Sequence, residues 1–172
     1  MKNILRIIVA VVVFNAAAIS AEDNAGKNAH DDHAEHNHHA SLFLGATSHF
    51  DHGHSVHAFT AGLDYEYRFS FLNRLLGIGI LDDMAFFPGA LTNVSAVFIG
   101  IHPIGGLKIL LAPGVEMIFL EKLKTAFLLR GSLGYDFMIG NFSLTPIVSI
   151  DYLPAYPGSF ALVYGVAAGI GF

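Results

Sequence analysis

From Ser41 to the C-terminus, apolar and polar residues alternate one by one. In the stretch FTAGLDYEYRF the odd positions are Phe59, Ala61, Leu63, Tyr65, Tyr67 and Phe69, and the even ones Thr60, Gly62, Asp64, Glu66 and Arg68. A period of two over eleven residues predicts a β-strand with one apolar and one polar face, because successive side chains leave a strand on opposite sides. FLLRGSLGYDF splits the same way, with Phe127, Leu129, Leu133, Tyr135 and Phe137 against Arg130, Ser132, Gly134 and Asp136. So does FSLTPIVSIDY, with Phe142, Leu144, Val148, Ile150 and Tyr152 against Ser143, Thr145, Ser149 and Asp151.

Weaker alternation completes a set of eight predicted strands, near 41–50, 56–69, 75–82, 93–102, 107–119, 125–139, 142–153 and 160–172. Short turns (SFLNR, PIGG, GN) alternate with links that read as longer (DHGHS, DMAFFPGALT, LEKLK, PAYPGS). An even strand number returns both termini to one side. Short turns on one side and longer loops on the other is the layout of an up-and-down membrane barrel.

The preceding residues read differently. Lys2 and Arg6, the apolar run IIVAVVVF and the small-residue exit NAAAISA make residues 1–21 an expected secretory signal peptide. Residues 22–40 contain no large apolar side chain. Such a segment has nothing to bury against its ordering entropy, so it is expected to be a disordered, His-rich periplasmic tail. The barrel domain is then 41–172.

Composition decides which face is out. Charged residues make up 13% of the chain and hydrophobic ones 53%, too apolar for a water-soluble barrel with a charged exterior. The last strand, FALVYGVAAGIGF, has no charge, and its minor face is Ala161, Val163, Gly165, Ala167, Gly169 and Gly171. Small side chains suit a crowded lumen better than a solvent face. Aromatics (Tyr65, Tyr67, Phe69, Tyr135, Phe137, Phe142, Phe172) gather at strand ends that share the terminal side, as an interfacial girdle does. There is no Cys, and nine Lys and Arg are too scattered for a nucleic-acid footprint.

Alternating Tyr164, Val166, Ala168, Ile170 and a terminal Phe172 resemble the closing strand of bacterial outer-membrane β-barrels. The resemblance covers residues 41–172. It implies an all-β, eight-stranded antiparallel transmembrane barrel in the outer membrane, with membrane lipids and the barrel assembly machinery, which reads that strand, as partners. It leaves the activity open, because such barrels include anchors, adhesins, lipid enzymes and small channels. His54 is followed directly by Ser55, and in a strand the two point apart, unlike the His-x-Ser pair of the lipid A deacylases, so the protein is expected not to be an enzyme.

Two groups of residues are the candidate chemistry. Asp64, Glu66, Arg68, Lys108, Glu116, Arg130, Asp136 and Asp151, with Asp82, are expected to face the lumen and pair there, since buried charge demands partners. Symmetric pairing about LEKLK sets Lys108 opposite Asp136 and Glu116 one diagonal step from Arg130. The lumen is expected to be a salt-bridged plug, the alternative being a narrow cation path.

The second group is nine of the ten histidines, as candidate ligands for zinc, nickel or copper: His30, His33, His36, His38 and His39 in the tail, and His49, His52, His54 and His57 in the first loop. HFDHGHSVH is palindromic about Gly53, so a hairpin turning there would pair His52 with His54 and His49 with His57. His102, beside Pro103 at a turn, reads as incidental. The expected function is an outer-membrane barrel that binds a divalent transition metal through tail and loop. The alternatives are a structural or partner-binding barrel without ligand, or the narrow cation channel.

Overall fold

The computed structural model describes residues 36–51, 53–103 and 106–172. The signal-peptide segment 1–21 and residues 22–35 lie outside them. The described chain is an antiparallel meander of β1 (His38–Asp51), β2 (His54–Arg68), β3 (Leu76–Phe87), β4 (Ala90–Ile101), β5 (Leu107–Phe119), β6 (Leu123–Tyr135), β7 (Phe137–Ile139), β8 (Phe142–Tyr152) and β9 (Phe160–Gly171). β6 and β7 are one stave interrupted at Asp136, and both pair with β8 in a single register. β9 pairs back onto β1, so eight staves close into a barrel without a free edge.

Register sets the width. Following paired residues round from His38, through Tyr67, Ile78, Ile99, Leu111, Gly131, Ile150 and Leu162, returns to β1 at Ser48, ten residues further on. With a rise of about 3.3 Å per residue and about 4.8 Å between strands, that stagger tilts the strands about 40° and leaves a backbone radius of about 8 Å. Only side chains fit inside.

Alternation puts the apolar set outside. Tyr65 and Leu133 are 38% and 52% exposed, whereas Thr60 and Glu66 are buried. Every long strand shows exposed Leu, Ile, Val, Phe or Tyr on its outer face. Water would penalise that continuous surface, and hydrocarbon accepts it. Tyr67, Phe69, Tyr135 and Phe137 ring the terminal end, with Phe172 stacked on His38 there.

Three sequence expectations change. β1 begins at His38 rather than at residue 41, because His38, His39 and Ala40 continue the ladders to Tyr67, Glu66 and Tyr65, and His39 and Ala40 also pair with β9. The long links DHGHS and DMAFFPGALT are mostly strand. Pairing runs on to Asp51–His54 and Phe87–Ala90, leaving two-residue turns in which Gly53 (φ 87°) and Gly89 (φ 81°) take the left-handed conformation that a tight hairpin requires. The expected contrast between short and long loops is therefore absent: residues 52–53, 88–89, 120–122 and 153–159 connect one end, and 69–75, 102–106 and 140–141 the terminal end.

Finally, the lumen is only partly ionic. Leu81, Val94, Ala96, Phe98, Leu110, Ala112, Ala126, Leu128 and Leu153 form an apolar cluster inside the β3–β6 wall, and Ile147 links it to Phe43, Val163 and Ala167.

Candidate functional site: the closed lumen and the histidines

The interior charges form two groups. Nearer the terminal end, Glu66 is wholly buried. His102 Nε2 lies 2.7 Å from its Oε1, and Lys108 Nζ and Arg68 Nε each lie 3.4 Å from its Oε2. Arg68 Nη2 also donates to Asp136 Oδ2 at 2.9 Å, and Thr145 Oγ1 donates to Asp136 Oδ1 at 2.7 Å. Lys108 stands 3.8 Å from Asp64 Oδ1 and 5.8 Å from the Phe98 ring centre. Ser41 donates to the other Asp64 oxygen. Room for the Glu66 carboxylate comes from Gly77 and Gly100, where a Cβ would collide with it.

Midway along the barrel, Arg130 forks onto Asp151, with Nε to Oδ1 at 2.6 Å and Nη2 to Oδ2 at 2.8 Å, while Nη1 donates to Asp83. The triad divides the remaining space. A cavity of about 40 Å³ touches Asp64, Lys108, Ser132 and Thr145, and one of about 20 Å³ touches Thr47, His49, Thr60 and Glu116. Arg130 and Asp83 line both. A water needs about 10–15 Å³ measured this way, so these spaces suit one to a few waters and no hydrated ion.

All eight charges expected inside are inside, but Asp82 is not. It shares the outward parity of Ile78 and Ile80, and Asp83 takes the lumenal place. The pairings differ too. The β5–β6 turn centres one residue earlier than LEKLK symmetry predicts, so Lys108 stands opposite Gly134 and Glu116 opposite Ala126. Lys108 serves Glu66 and Asp64 instead of Asp136, and the Arg130 fork goes to two aspartates rather than to Glu116. His102 is not incidental, since it contacts Glu66. The parity of the apolar residues preceding Asp82 was the signal that could have assigned Asp83.

The histidines separate. His30, His33 and His52 lie outside the described residues. His36 Nε2 is 3.1 Å from Asn141 Oδ1. His38 Nδ1 is 2.6 Å from the Tyr65 hydroxyl, and its ring stacks on Phe172 with centroids 5.5 Å apart. His39 is buried in the lumen, its Nε2 2.7 Å from Ser143 Oγ.

In the first hairpin the palindromic pairing does not form. The turn falls at 52–53, so His49 pairs with Val56 and His57 with Ser48, whose Oγ lies 2.8 Å from His57 Nδ1. His49 lines the smaller cavity, whereas His57 stands on the opposite, outward face. His54 pairs with Asp51 at the turn. A one-residue slip changes the face of every side chain, which is why the symmetry of the sequence is not that of the hairpin. Among the described residues no three His, Asp or Glu side chains converge on a common point.

No protein-family model and no curated protein matches the chain. Among solved structures it is similar to Neisserial surface protein A (NspA), at 10% identity and TM-score 0.59, covering 79% of this chain and 97% of that one. It is similar to Ail, the attachment invasion locus protein of Yersinia pestis, at 15% identity and TM-score 0.57, covering 80% and 99%. A second structure, of Ail in complex with the heparin analogue sucrose octasulfate, matches at 14% identity and TM-score 0.56, covering 78% and 97%. These likenesses show the fold, that of the small eight-stranded outer-membrane barrels. With the apolar wall, that fold makes the chain a transmembrane barrel of the bacterial outer membrane.

Proposed function

We propose that this outer-membrane barrel is a closed structural scaffold, neither pore nor enzyme, which carries its N-terminal His-rich segment on the periplasmic side. The Asp83–Arg130–Asp151 triad carries this reading. A buried guanidinium with both forks and its third donor occupied is costly to displace, and the space on either side of it suits only water. The six lumenal acids and three bases are therefore packing elements rather than a cation path.

Divalent metal binding belongs to the tail alone on this reading. His30 and His33, with Asp31, Asp32 and Glu35, keep the ligand chemistry of zinc, nickel or copper, while His49 and His57 are held on opposite faces of the first hairpin. Recognition of a sulfated sugar, as the complex of Ail with a heparin analogue would suggest, finds little support. The hairpin end consists of three turns of two or three residues and one link of seven, and the basic residues there among those described are Lys122 and Lys124. Phe172 and its strand are the segment offered to the assembly machinery.

Planar-bilayer recording on the full mature chain tests the closure. A flat trace is expected, and steady unitary currents would overturn the scaffold reading.

A further inference from the structure

The acidic surplus of the lumen is unevenly spread. Nearer the terminal end, Asp64, Glu66 and Asp136 meet Lys108 and Arg68, and His102 closes on Glu66. On the hairpin side, Asp83, Asp151 and Glu116 line a cavity whose one Lys or Arg is Arg130. Both aspartates engage that guanidinium, which leaves Glu116 over. Its side chain enters from β5 and is 8% exposed, and among the described residues its carboxylate has neither a hydrogen bond nor an ion pair. A carboxylate buried in this way is costly unless something positive meets it.

The rest of the lining supplies oxygen. Thr47 on β1, Thr60 on β2 and Thr92 on β4 are buried against the same space. The Thr47 and Thr60 hydroxyls share one hydrogen bond of 2.6 Å, and both oxygens keep lone pairs to offer. Carboxylate and hydroxyl oxygens are hard donors, suited to alkali and alkaline-earth cations. Charge and size choose between these. Calcium takes about six to eight oxygens and magnesium keeps several waters, for which a cavity of about 20 Å³ has no room. Nor do three acidic or imidazole groups converge among the described residues. One free carboxylate in a water-sized space matches a bare monovalent ion, and bare sodium is smaller than a water.

We propose that Glu116 and the three threonines hold one dehydrated monovalent cation, sodium by size, on the hairpin side of the Arg130 triad. Arg130 repels a cation, but Asp83 and Asp151 outweigh its charge, so the triad presents a net negative floor to the cavity. The same floor makes the site a dead end rather than a path. The ion neutralises the lumenal carboxylate that no side chain serves.

Urea unfolding of the full mature chain in lipid vesicles tests the site, with sodium exchanged for choline at constant ionic strength. Choline is too large to enter. A ligand bound only by the folded state stabilises it with the logarithm of its concentration, so the midpoint is expected to climb with sodium and stay level in choline. Glu116→Gln, of the same size, should abolish the climb. Glu121→Gln, in the exposed 120–122 turn, should retain it. Equal midpoints in sodium and choline overturn the proposal, as does a sodium effect that survives Glu116→Gln. Should that variant fail to insert, Thr92→Val with Glu116 intact is expected to move the climb to higher sodium concentration, and an unmoved curve overturns the proposal equally.

Discussion

Arg130 and Asp151 stand opposite each other on β6 and β8 and join through two parallel hydrogen bonds of 2.6 and 2.8 Å, inside a barrel whose space on either side suits a few waters at most. Asp83 on β3 accepts from the remaining Nη1, and Arg130 and Asp83 together line the cavities on both sides.

Removing the cation should be far worse than removing the whole triad. Arg130→Met leaves two buried carboxylates facing each other and is expected to cost about 3–5 kcal/mol of folding stability. The triple variant with Asp83→Asn and Asp151→Asn should recover most of that loss. Urea titration of folding into lipid vesicles measures both, and equal losses would show that the ion pair is not what is being broken.

A methyl group at Gly100 should act through Glu66. The added Cβ meets the carboxylate that His102, Lys108 and Arg68 hold in place. Gly100→Ala is expected to destabilise by about 1–3 kcal/mol, the usual cost of overpacking. Gly131→Ala, where a Cβ meets open space, should cost less in the same titration.

The hairpin register is open to a covalent test. Ser48 and His57 are direct partners on one face, so a Ser48→Cys, His57→Cys chain should form a disulfide within the barrel. A His49→Cys, His57→Cys chain should not, because those side chains leave opposite faces. Gel mobility before and after reduction distinguishes the two. A disulfide in the second chain alone would restore the palindromic pairing.

Zinc or nickel titration separates the tail from the hairpin. Deleting residues 22–35 should abolish any binding by the mature chain, whereas His49→Ala with His57→Ala should leave it unchanged. Loss of binding in the double alanine variant would return the hairpin to the metal site.

The eight strands, their inward charges and the apolar exterior were legible because alternation is a local property: each residue's face follows from its neighbours two positions away. Asp82 shows where that legibility ended. Two adjacent aspartates break the alternation, so the sequence pattern ends the strand at Asp82, whereas β3 runs on to Phe87 with the parity of Ile78 and Ile80 and turns Asp83 inward. Nor did the tail read as strand, since His38 and His39 carry no hydrophobic signal. They are held by ladders to β2 and β9, with Phe172 exchanging backbone hydrogen bonds with His38.

By itself, the order of residues determined a barrel with its oily side outward, because a two-residue period and a scarcity of charge admit few other solutions. Which charges meet was decided only when the strands closed. Partner choice depends on register, and register depends on where each turn falls, to a single residue. The one-residue slip in register between a turn centred on Gly53 and one at 52–53 took the hairpin histidines apart. At the β5–β6 turn a two-residue slip, which keeps every face, set Lys108 opposite Gly134 instead of Asp136. The ten-residue stagger accumulated around eight staves set the radius that makes Arg130 a closure. No segment carries that information alone.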